Sequence, residues 1–254
     1  MKQVPAPRDW DADTYDRVSN IQLGWGLEVL ERLDLEGHET VLDAGCGSGR
    51  VTLEIAQRLS TGRVIAVDSS ASMVAKARAA LGPGARVEVA DLSELDLGER
   101  VDAVFSNAVF HWIADHARLF ERLHAALRPG GRLVAQCGGA GNLDVFLAHV
   151  HDVSAQAPYA EHLDGWALWH FPTAEQTAQR LAGAGLTEVE CWLERRAMQP
   201  AEPGAYVRAV NLGAHLERLP VQLREPFVEA VLARVPAPLT LDYVRLNIDA
   251  RVPA

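Results

Sequence analysis

Short apolar runs alternate with stretches of helical periodicity along the first half of the chain. Five such runs occupy residues 40–43, 63–68, 85–91, 101–107 and 132–137. Between the first two, apolar residues from Val51 to Leu59 recur at the spacing of one helix face, which predicts an amphipathic helix. A further helix of this kind is predicted before the first run, with Leu23, Leu27, Leu30 and Leu33 on its apolar face. Strands that alternate with helices predict βαβ units and a parallel sheet.

The second half of the chain predicts more helix and two further strands. We expect strands at 187–195 and 241–248, a helix that begins at Thr173 with a capping sequence, and helical stretches at 143–156, 205–216 and 223–235. No internal repeat, low-complexity segment or long linker divides the chain. The prediction is a single domain over residues 1–254: an α/β fold with a doubly wound, seven-stranded, mostly parallel sheet. Two helical insertions, at about 143–171 and 202–236, are expected to form a cap over the substrate. The alternative for the aromatic cluster in the first insertion is a small satellite core.

A glycine-rich turn follows the first predicted strand and precedes the first βα helix. Gly45, Gly47 and Gly49 stand at alternate positions after Asp43. Glycine has no Cβ, so such a turn takes positive φ values and lets a ligand lie against backbone at the amide-rich end of a helix. A dinucleotide site requires G-x-G-x-x-G, but here Arg50 stands where the third glycine belongs. The turn therefore argues against an NAD-dependent oxidoreductase, as does the lack of a Tyr-x-x-x-Lys pair.

Three carboxylates end three successive predicted strands. Asp43, Asp68 and Asp91 all fall at the edge where ligands bind in open α/β sheets. Asp68 lies 19 positions beyond Gly49, the length of one helix and a returning strand. Its two oxygens match a ribose diol, so we assign it as a ribose ligand, with Ser69 beside it.

Composition narrows the class of protein further. The chain has 254 residues and a formal net charge of −10, which disfavours a phosphate backbone as partner. Its three cysteines, Cys46, Cys137 and Cys191, are far apart and indicate neither a disulfide framework nor a zinc site. No segment resembles a signal peptide or a membrane span. We expect a cytoplasmic protein, monomer or homodimer, without nucleic-acid or membrane partners and without a metal.

The glycine turn with its leading acid, Asp-x-Gly-x-Gly-x-Gly, resembles the first motif of the class I S-adenosylmethionine methyltransferases. The resemblance continues where the predicted fourth strand is followed by a helix that ends in Arg128-Pro129-Gly130-Gly131. The segment 106–112, Ser-Asn-Ala-Val-Phe-His-Trp, together with Val-Ser-Asn-x-Gln at 18–22, is similar to the trans-aconitate 2-methyltransferase family. The shared pattern covers roughly the first half of the chain.

This resemblance implies a cofactor and positions that would contact it. The glycine turn would hold the amino-acid end of S-adenosylmethionine, with Asp43 helping to hold its ammonium. Asp91 would accept a hydrogen bond from the adenine amine, and the amide of Leu92 would reach a ring nitrogen. Met73 is assigned to the adenine face, with core packing as the alternative. Asn107 is assigned to the cofactor. Gln22 and Tyr15 are assigned to the methionine moiety or the substrate. The alternative is that Gln22 is a surface amide and Tyr15 a packing aromatic.

The resemblance also implies a small-molecule acceptor, preferably a carboxylate or another oxygen. His111 is the catalytic candidate: it would act as a base toward a hydroxyl or amine, or as a donor to a carboxylate, which needs no base. Its alternative is a packing role. Substrate contacts are expected from Phe110, Trp112 and Trp166. A non-catalytic module that binds the cofactor and regulates a partner is the alternative function.

Acceptor polarity stays open at this level. A tricarboxylate calls for guanidinium groups, and Arg17, Arg195, Arg196 and Arg245 are available. Arg195 and Arg196 are neighbours on one strand, so at most one of them faces a ligand. The aromatic residues of the cap suit an apolar acceptor equally well.

Overall fold

The computed structural model describes residues 20–166 and 168–254. Tyr15 and Arg17, two of the substrate candidates, lie outside the described residues. A seven-stranded sheet runs through the structure, with strand order β3-β2-β1-β4-β5-β7-β6. The strands are β1 Thr40–Ala44, β2 Arg63–Asp68, β3 Arg86–Val89, β4 Val101–Asn107, β5 Leu127–Gly138, β6 Thr187–Met198 and β7 Leu241–Arg251.

Strands β1 to β5 are parallel, and β7 runs antiparallel to both β5 and β6. The helices are α1 Asn20–Arg32, α2 Arg50–Arg58, α3 Ala71–Leu81, α4 His116–Ala126, α5 Asp144–Ser154, α6 Ala160–Leu163, α7 Ala174–Gly183, α8 Pro203–Tyr206, α9 Gly213–Arg218 and α10 Val221–Leu232. The doubly wound α/β fold predicted from the sequence is confirmed.

Two expectations about element bounds are wrong. The helix expected before residues 128–131 is present as α4, capped by Asp115 and ending at Ala126, but β5 already begins at Leu127, whereas it was expected to begin at Arg132. A register shift between Val101 and Ala103 of β4 accommodates it, because Leu127 pairs with Val101 while Arg132 pairs with Ala103. The stretch expected as one helix at 205–216 is three pieces, α8, a π-turn at Val207–Asn211 and α9.

The apolar residues form two main cores. One lies between the sheet and α4 and α7, with Phe110, Phe120 and Leu246 fully buried in it. The other joins α5, α6 and α8 to α10 with Trp25 of α1 and with Leu241 and Tyr243 of β7. The predicted helical segments 143–171 and 202–236 thus share one core with the antiparallel end of the sheet. Within the described ranges, no helix has the length and apolarity to cross a bilayer.

Candidate active site

The glycine turn joins β1 to α2 and bears out its expected geometry. Gly45, Gly47 and Gly49 all have positive φ, at 91°, 54° and 87°. A Cβ on Gly45 would lie 2.2 Å from a methyl carbon of Val109, and one on Gly49 would lie 3.0 Å from Ala77. At Gly47, by contrast, no atom lies within 4 Å of a built Cβ. The first and third glycines therefore permit close packing, whereas the second leaves a bare backbone surface beside the start of α2.

Asp43 is the penultimate residue of β1, directly before this turn. Its carboxylate is buried and accepts a hydrogen bond from the Thr52 hydroxyl at 2.6 Å. Burial raises the pKa of Asp43 to about 7, the Thr52 bond opposes the rise, and the nearby Asp68 adds to it. A cationic ligand group in the same cleft would stabilise the ionised form. Asp43 is therefore suited to pair with an ammonium.

Asp68 connects the loops that follow β1 and β2. One carboxylate oxygen accepts the Gly47 N–H at 2.9 Å, and the other accepts the Ser70 N–H at 2.9 Å. Burial raises the pKa of Asp68, while backbone bonds from Ser70, Gly47 and Ser69 oppose the shift. A carboxylate can accept about four hydrogen bonds, so capacity remains for a diol. The sequence did not reveal this second role, which fixes the shape of the glycine turn.

The residues assigned to the adenine end occupy different depths. Asp91 is exposed at the end of β3 and accepts the Ser93 N–H at 2.8 Å, which caps a short turn. The side chains of Leu92 and Met73 are buried, 5% and 3% exposed. Ser69 is exposed next to Asp68. The adenine assignments stay predictions, and the burial of Met73 favours its packing role.

The wall of the cleft opposite the glycine turn comes from α1 and β4. Gly26 of α1 allows the helix to approach β4 closely, since a Cβ there would lie 2.9 Å from the Asn107 side-chain nitrogen. Asn107 donates from Nδ2 to the Gln22 carbonyl at 3.0 Å. The side-chain oxygens of Gln22 and Asn107 are buried and have no hydrogen-bond partner in the described part of the chain. Two acceptors thus line a cleft that also holds Asp43.

The cleft encloses about 510 Å³ of space that is continuous with solvent. It is lined by Gln22, Leu23, Asp43, Gly45, Cys46, Gly47, Ser48, Arg50, Val51, Phe105 and Asn107. Five of the predicted cofactor residues meet here, and Asp68 joins them through its bond to Gly47. Sequence reasoning missed Thr52, Ser48 and Leu23, which carry no signal beyond their place near the glycine turn. A bare backbone, a helix start, a carboxylate and two unpartnered acceptors fit an amino-acid group that bears an ammonium and a carboxylate.

His111 lies on a single 3-10 turn after β4. Its Nδ1 accepts the Gly138 N–H at 3.2 Å, which leaves Nε2 to carry the proton. Burial lowers the pKa of His111 well below its ordinary value, and the positive charge of Arg245 acts in the same direction. The ring is therefore neutral and presents a donor. This arrangement favours the role of hydrogen-bond donor over the role of base.

Aromatic side chains surround His111. The ring of Trp112 lies 5.2 Å from it and that of Phe171 lies 5.9 Å from it, and Trp169 stacks on Phe171. Phe110 packs against Phe120 in the sheet core and is fully buried, so its side chain does not line the cleft. Trp166 contacts His215 of α9.

A buried polar cluster adjoins the cleft on the side of the cap. Gln22 donates from its side chain to the Tyr206 hydroxyl, which shares a 2.9 Å hydrogen bond with the Tyr243 hydroxyl. Asn211 donates to the same Tyr243 oxygen at 3.2 Å. On β7, Arg245 lies one pleat from Tyr243, with its guanidinium carbon 5.0 Å from the Trp25 ring centroid. Sequence reasoning missed Tyr206, Asn211 and Tyr243. The available signal was the alternation of polar residues at 243, 245, 247 and 249 with apolar residues at 244, 246, 248 and 250.

The arginines that were candidates for binding a carboxylate differ in burial and in ion pairing. Arg245 is 3% exposed, Arg196 pairs with Glu28 and Glu194, and Arg195 is exposed on the other face of β6. Among the residues the structure describes, no group of three His, Cys, Asp or Glu side chains could hold a metal ion.

Comparison with known proteins agrees with this geometry. Residues 41–131 match a family described as methyltransferase domain. The trans-aconitate 2-methyltransferase of Azoarcus sp. is 32% identical over 232 residues, which cover 90% of each chain.

Solved structures share the fold. The YcgJ protein of Bacillus subtilis superposes with a TM-score of 0.64 at 15% identity, over 92% of this chain and 99% of that one. The phosphoethanolamine N-methyltransferase 2 of Haemonchus contortus, solved with S-adenosyl-L-methionine, gives a TM-score of 0.60 at 19% identity over 91% of this chain and 53% of that one.

The alternatives of a regulatory module and an NAD-dependent oxidoreductase are set aside, while the expectations about nucleic acid, oligomeric state and compartment stay predictions. The chain is an S-adenosylmethionine-dependent methyltransferase and belongs to the family that includes the trans-aconitate 2-methyltransferases.

Proposed function

We propose that this methyltransferase transfers the methyl group to a carboxylate oxygen of a small organic acid. The observation that carries the proposal is the buried cluster of Tyr206, Asn211, Tyr243 and Arg245, which meets the cofactor cleft at Gln22. The name of the relatives supports the same acceptor class, because trans-aconitate is a tricarboxylate.

Arg245 is the central residue of the acceptor site in this proposal. Its Nε donates to the Gln136 side chain at 3.1 Å, and Trp25 covers one face of the guanidinium. A guanidinium binds a carboxylate strongly, through paired charge-assisted hydrogen bonds. The tyrosine hydroxyls and the Asn211 amide supply further polar contacts for a substrate with more than one oxygen group.

His111 and Arg245 meet at the same point of the sheet. Gly138 pairs with Arg245 across β5 and β7, and its N–H donates to His111. In this proposal, one carboxylate accepts hydrogen bonds from both the His111 Nε2–H and the guanidinium. An ionised carboxylate is already a nucleophile, so no residue has to remove a proton.

Methyl transfer then depends on alignment. When bound, S-adenosylmethionine supplies an electrophilic methyl group on a positively charged sulfur. Asp43, Gln22 and Asn107 line the cleft and would hold the amino-acid end of the cofactor, and Asp68 would hold its ribose. Arg245 and His111 orient the attacking oxygen, and orientation of this kind supplies much of the rate in such reactions. The helical segments 143–171 and 202–236 form the cap that excludes water from the acceptor site.

The test is transfer of labelled methyl from S-adenosylmethionine to a panel of acceptors. The panel contains trans-aconitate, citrate, succinate, a medium-chain fatty acid and a phenol. We expect the label in base-labile methyl esters of the polycarboxylates. Transfer to the phenol alone, or to the fatty acid in preference to every polycarboxylate, would contradict the proposal. Binding of S-adenosylhomocysteine, measured by calorimetry, verifies that the protein tested is folded.

A further inference from the structure

A second pocket lies on the α1 side of the sheet, away from the glycine turn. It encloses about 350 Å³ of space that is continuous with solvent and is lined by side chains of α1, β5, β6 and β7, among them Arg32, Gln136, Trp192 and Asn247. A molecule of a few heavy atoms fits in this space. None of the catalytic candidates lines it.

Two hydrogen-bond donors of this pocket are unused. Nη1 of Arg32 and Nδ2 of Asn247 are buried and have no hydrogen-bond partner within the described ranges. Asn247 is 3% exposed, and its side-chain oxygen is already engaged by the Gln136 amide at 2.8 Å. Since a buried donor without a partner destabilises the protein, a ligand that accepts both bonds recovers that free energy.

Two glutamates and two arginines line the pocket, and among these four described residues Arg32 is the one that is not held in an ion pair. Glu28 and Glu194 both pair with Arg196, at 2.6 and 2.8 Å. Arg32 has no carboxylate at ion-pair distance in the part of the chain that the structure describes. It donates from Nη2 to the Ala135 carbonyl and lies over the Trp192 ring, 4.8 Å from the centroid. One guanidinium N–H and one amide N–H match the two oxygens of a carboxylate.

We propose that this pocket binds a small carboxylate through Arg32 and Asn247, as a site separate from the catalytic cleft. Trp192, which is 39% exposed, covers the guanidinium and closes one side of the site.

A chain of hydrogen bonds joins this site to the acceptor site. Asn247 accepts from Gln136, and Gln136 accepts from Arg245 at 3.1 Å. A ligand that holds the Asn247 amide therefore fixes the Gln136 amide and, through it, the orientation of the Arg245 guanidinium. Occupancy of the second pocket should change the KM for the methyl acceptor. This coupling rests on the proposed function, whereas binding to the pocket does not.

Binding is tested by titrating the protein with sodium acetate, at constant ionic strength and without cofactor or acceptor, and following tryptophan fluorescence. We expect a saturable change that disappears in Trp192→Phe. In Asn247→Asp, which keeps the oxygen that Gln136 needs, the midpoint should rise at least about tenfold, because the donor is replaced by a like charge. Arg32→Gln should weaken binding similarly, which covers the case in which Asn247→Asp fails to fold. Arg195→Gln, on the opposite face of β6, is the matched control and should bind as the parent does.

Three results would overturn the site. They are a response that survives in Trp192→Phe, an equal midpoint in Asn247→Asp and the parent, or a linear change that sodium chloride reproduces, which would indicate an adventitious ion effect only.

The coupling is tested separately: the KM of the acceptor found by the methyl-transfer panel is measured with and without acetate. A KM that shifts at least about twofold in the parent and not in Asn247→Asp supports the relay through Gln136. An unchanged KM in the parent overturns the relay and leaves the binding site standing.

Discussion

The two ends of the sheet present different chemistry to their ligands. Around β1 to β3, the cleft is formed largely by backbone: positive-φ glycines, the start of α2 and loop amides that Asp68 holds in place. Around β5 to β7, the proposed acceptor site is formed by side chains, with Tyr243 and Arg245 on alternate positions of an antiparallel strand. A backbone site can bind the same cofactor under many sequences. A side-chain site can change its acceptor by a few substitutions.

The largest effect should come from the cofactor cleft, in the variant Gly45→Ala. Its Cβ would lie 2.2 Å from Val109 at a φ of 91°, so both steric overlap and backbone strain oppose it. We expect a loss of about 2–4 kcal/mol of unfolding free energy and no measurable cofactor binding. Thermal unfolding and calorimetry are the measurements. Gly98→Ala, at a φ of 68° in open space, is the control and should cost only about 1 kcal/mol. Equal behaviour of the two variants would show that contact with Val109 is unimportant.

Arg245→Gln should impair use of the acceptor while leaving cofactor binding nearly unchanged. We expect kcat/KM for the carboxylate acceptor to fall about 100-fold or more, since a buried charge contact of this kind is worth about 2–5 kcal/mol. Cofactor affinity should change less than about threefold. The exposed Arg195→Gln is the matched control. A parallel loss of cofactor affinity would remove the distinction between the halves.

Asp68→Ala should weaken cofactor binding by about 10–100-fold, on the scale of charged hydrogen bonds. Part of that loss comes from the Gly47 and Ser70 amides, which lose their acceptor. Asp68→Asn keeps one acceptor oxygen and should lie between the parent and the alanine variant. Calorimetry with S-adenosylmethionine measures the affinity of each variant. Unchanged affinity in both variants would contradict the ribose assignment.

Asp43 should make the affinity for the cofactor depend on pH. Its pKa in the free protein is raised to about 7, so below pH 7 the carboxyl becomes neutral and loses its attraction for an ammonium. Affinity should fall by up to about tenfold per pH unit below 7 and level off above it. Asp43→Asn should flatten this profile, and a parent profile as flat as that of the variant would exclude Asp43.

The stability of the free protein should follow the opposite trend for the same group. The folded pKa of Asp43 lies above the value of about 3.9 in an unfolded chain, so the folded state binds the proton more tightly. The contribution of Asp43 to stability therefore declines as pH rises from about 4 to about 7, where the buried carboxyl ionises. Chemical denaturation across that range, compared with Asp43→Asn, measures it.

The smallest effect is expected at His111. Loss of one donor should lower kcat/KM by about tenfold in His111→Ala, and His111→Gln, which can present an N–H, should recover part of it. Because a neutral donor does not titrate near neutrality, the pH profile of kcat/KM for the acceptor, measured at saturating cofactor from pH 6 to 9, should have the same shape in the parent and in His111→Gln. A titration near pH 6.5 that is present in the parent and lost in His111→Gln would restore the role of base.

The sequence predicted the cofactor half far better than the acceptor half, for a physical reason. β4 was predicted with its observed bounds, and the glycine turn with its expected torsions, because strand periodicity and glycine conformations are local properties. The bond from Gln22 to Tyr206 joins residues 184 positions apart, and no local pattern encodes it. The start of β5 was expected at Arg132 because a proline and two glycines are typical of the break after a helix, whereas Leu127 already pairs with Val101 of β4.

The alternation of Tyr243, Arg245 and Asn247 along β7 limits how the loop before it can change. Removal or insertion of a single residue that shifted the strand by one position would turn Val244 and Leu246 toward α1 and send the guanidinium into the apolar core on the other side. Length variants of the connection at 233–240 are therefore tolerated only where the pairing with β5 is preserved. Libraries meant to alter this enzyme should vary residue identity in β7 and keep its register.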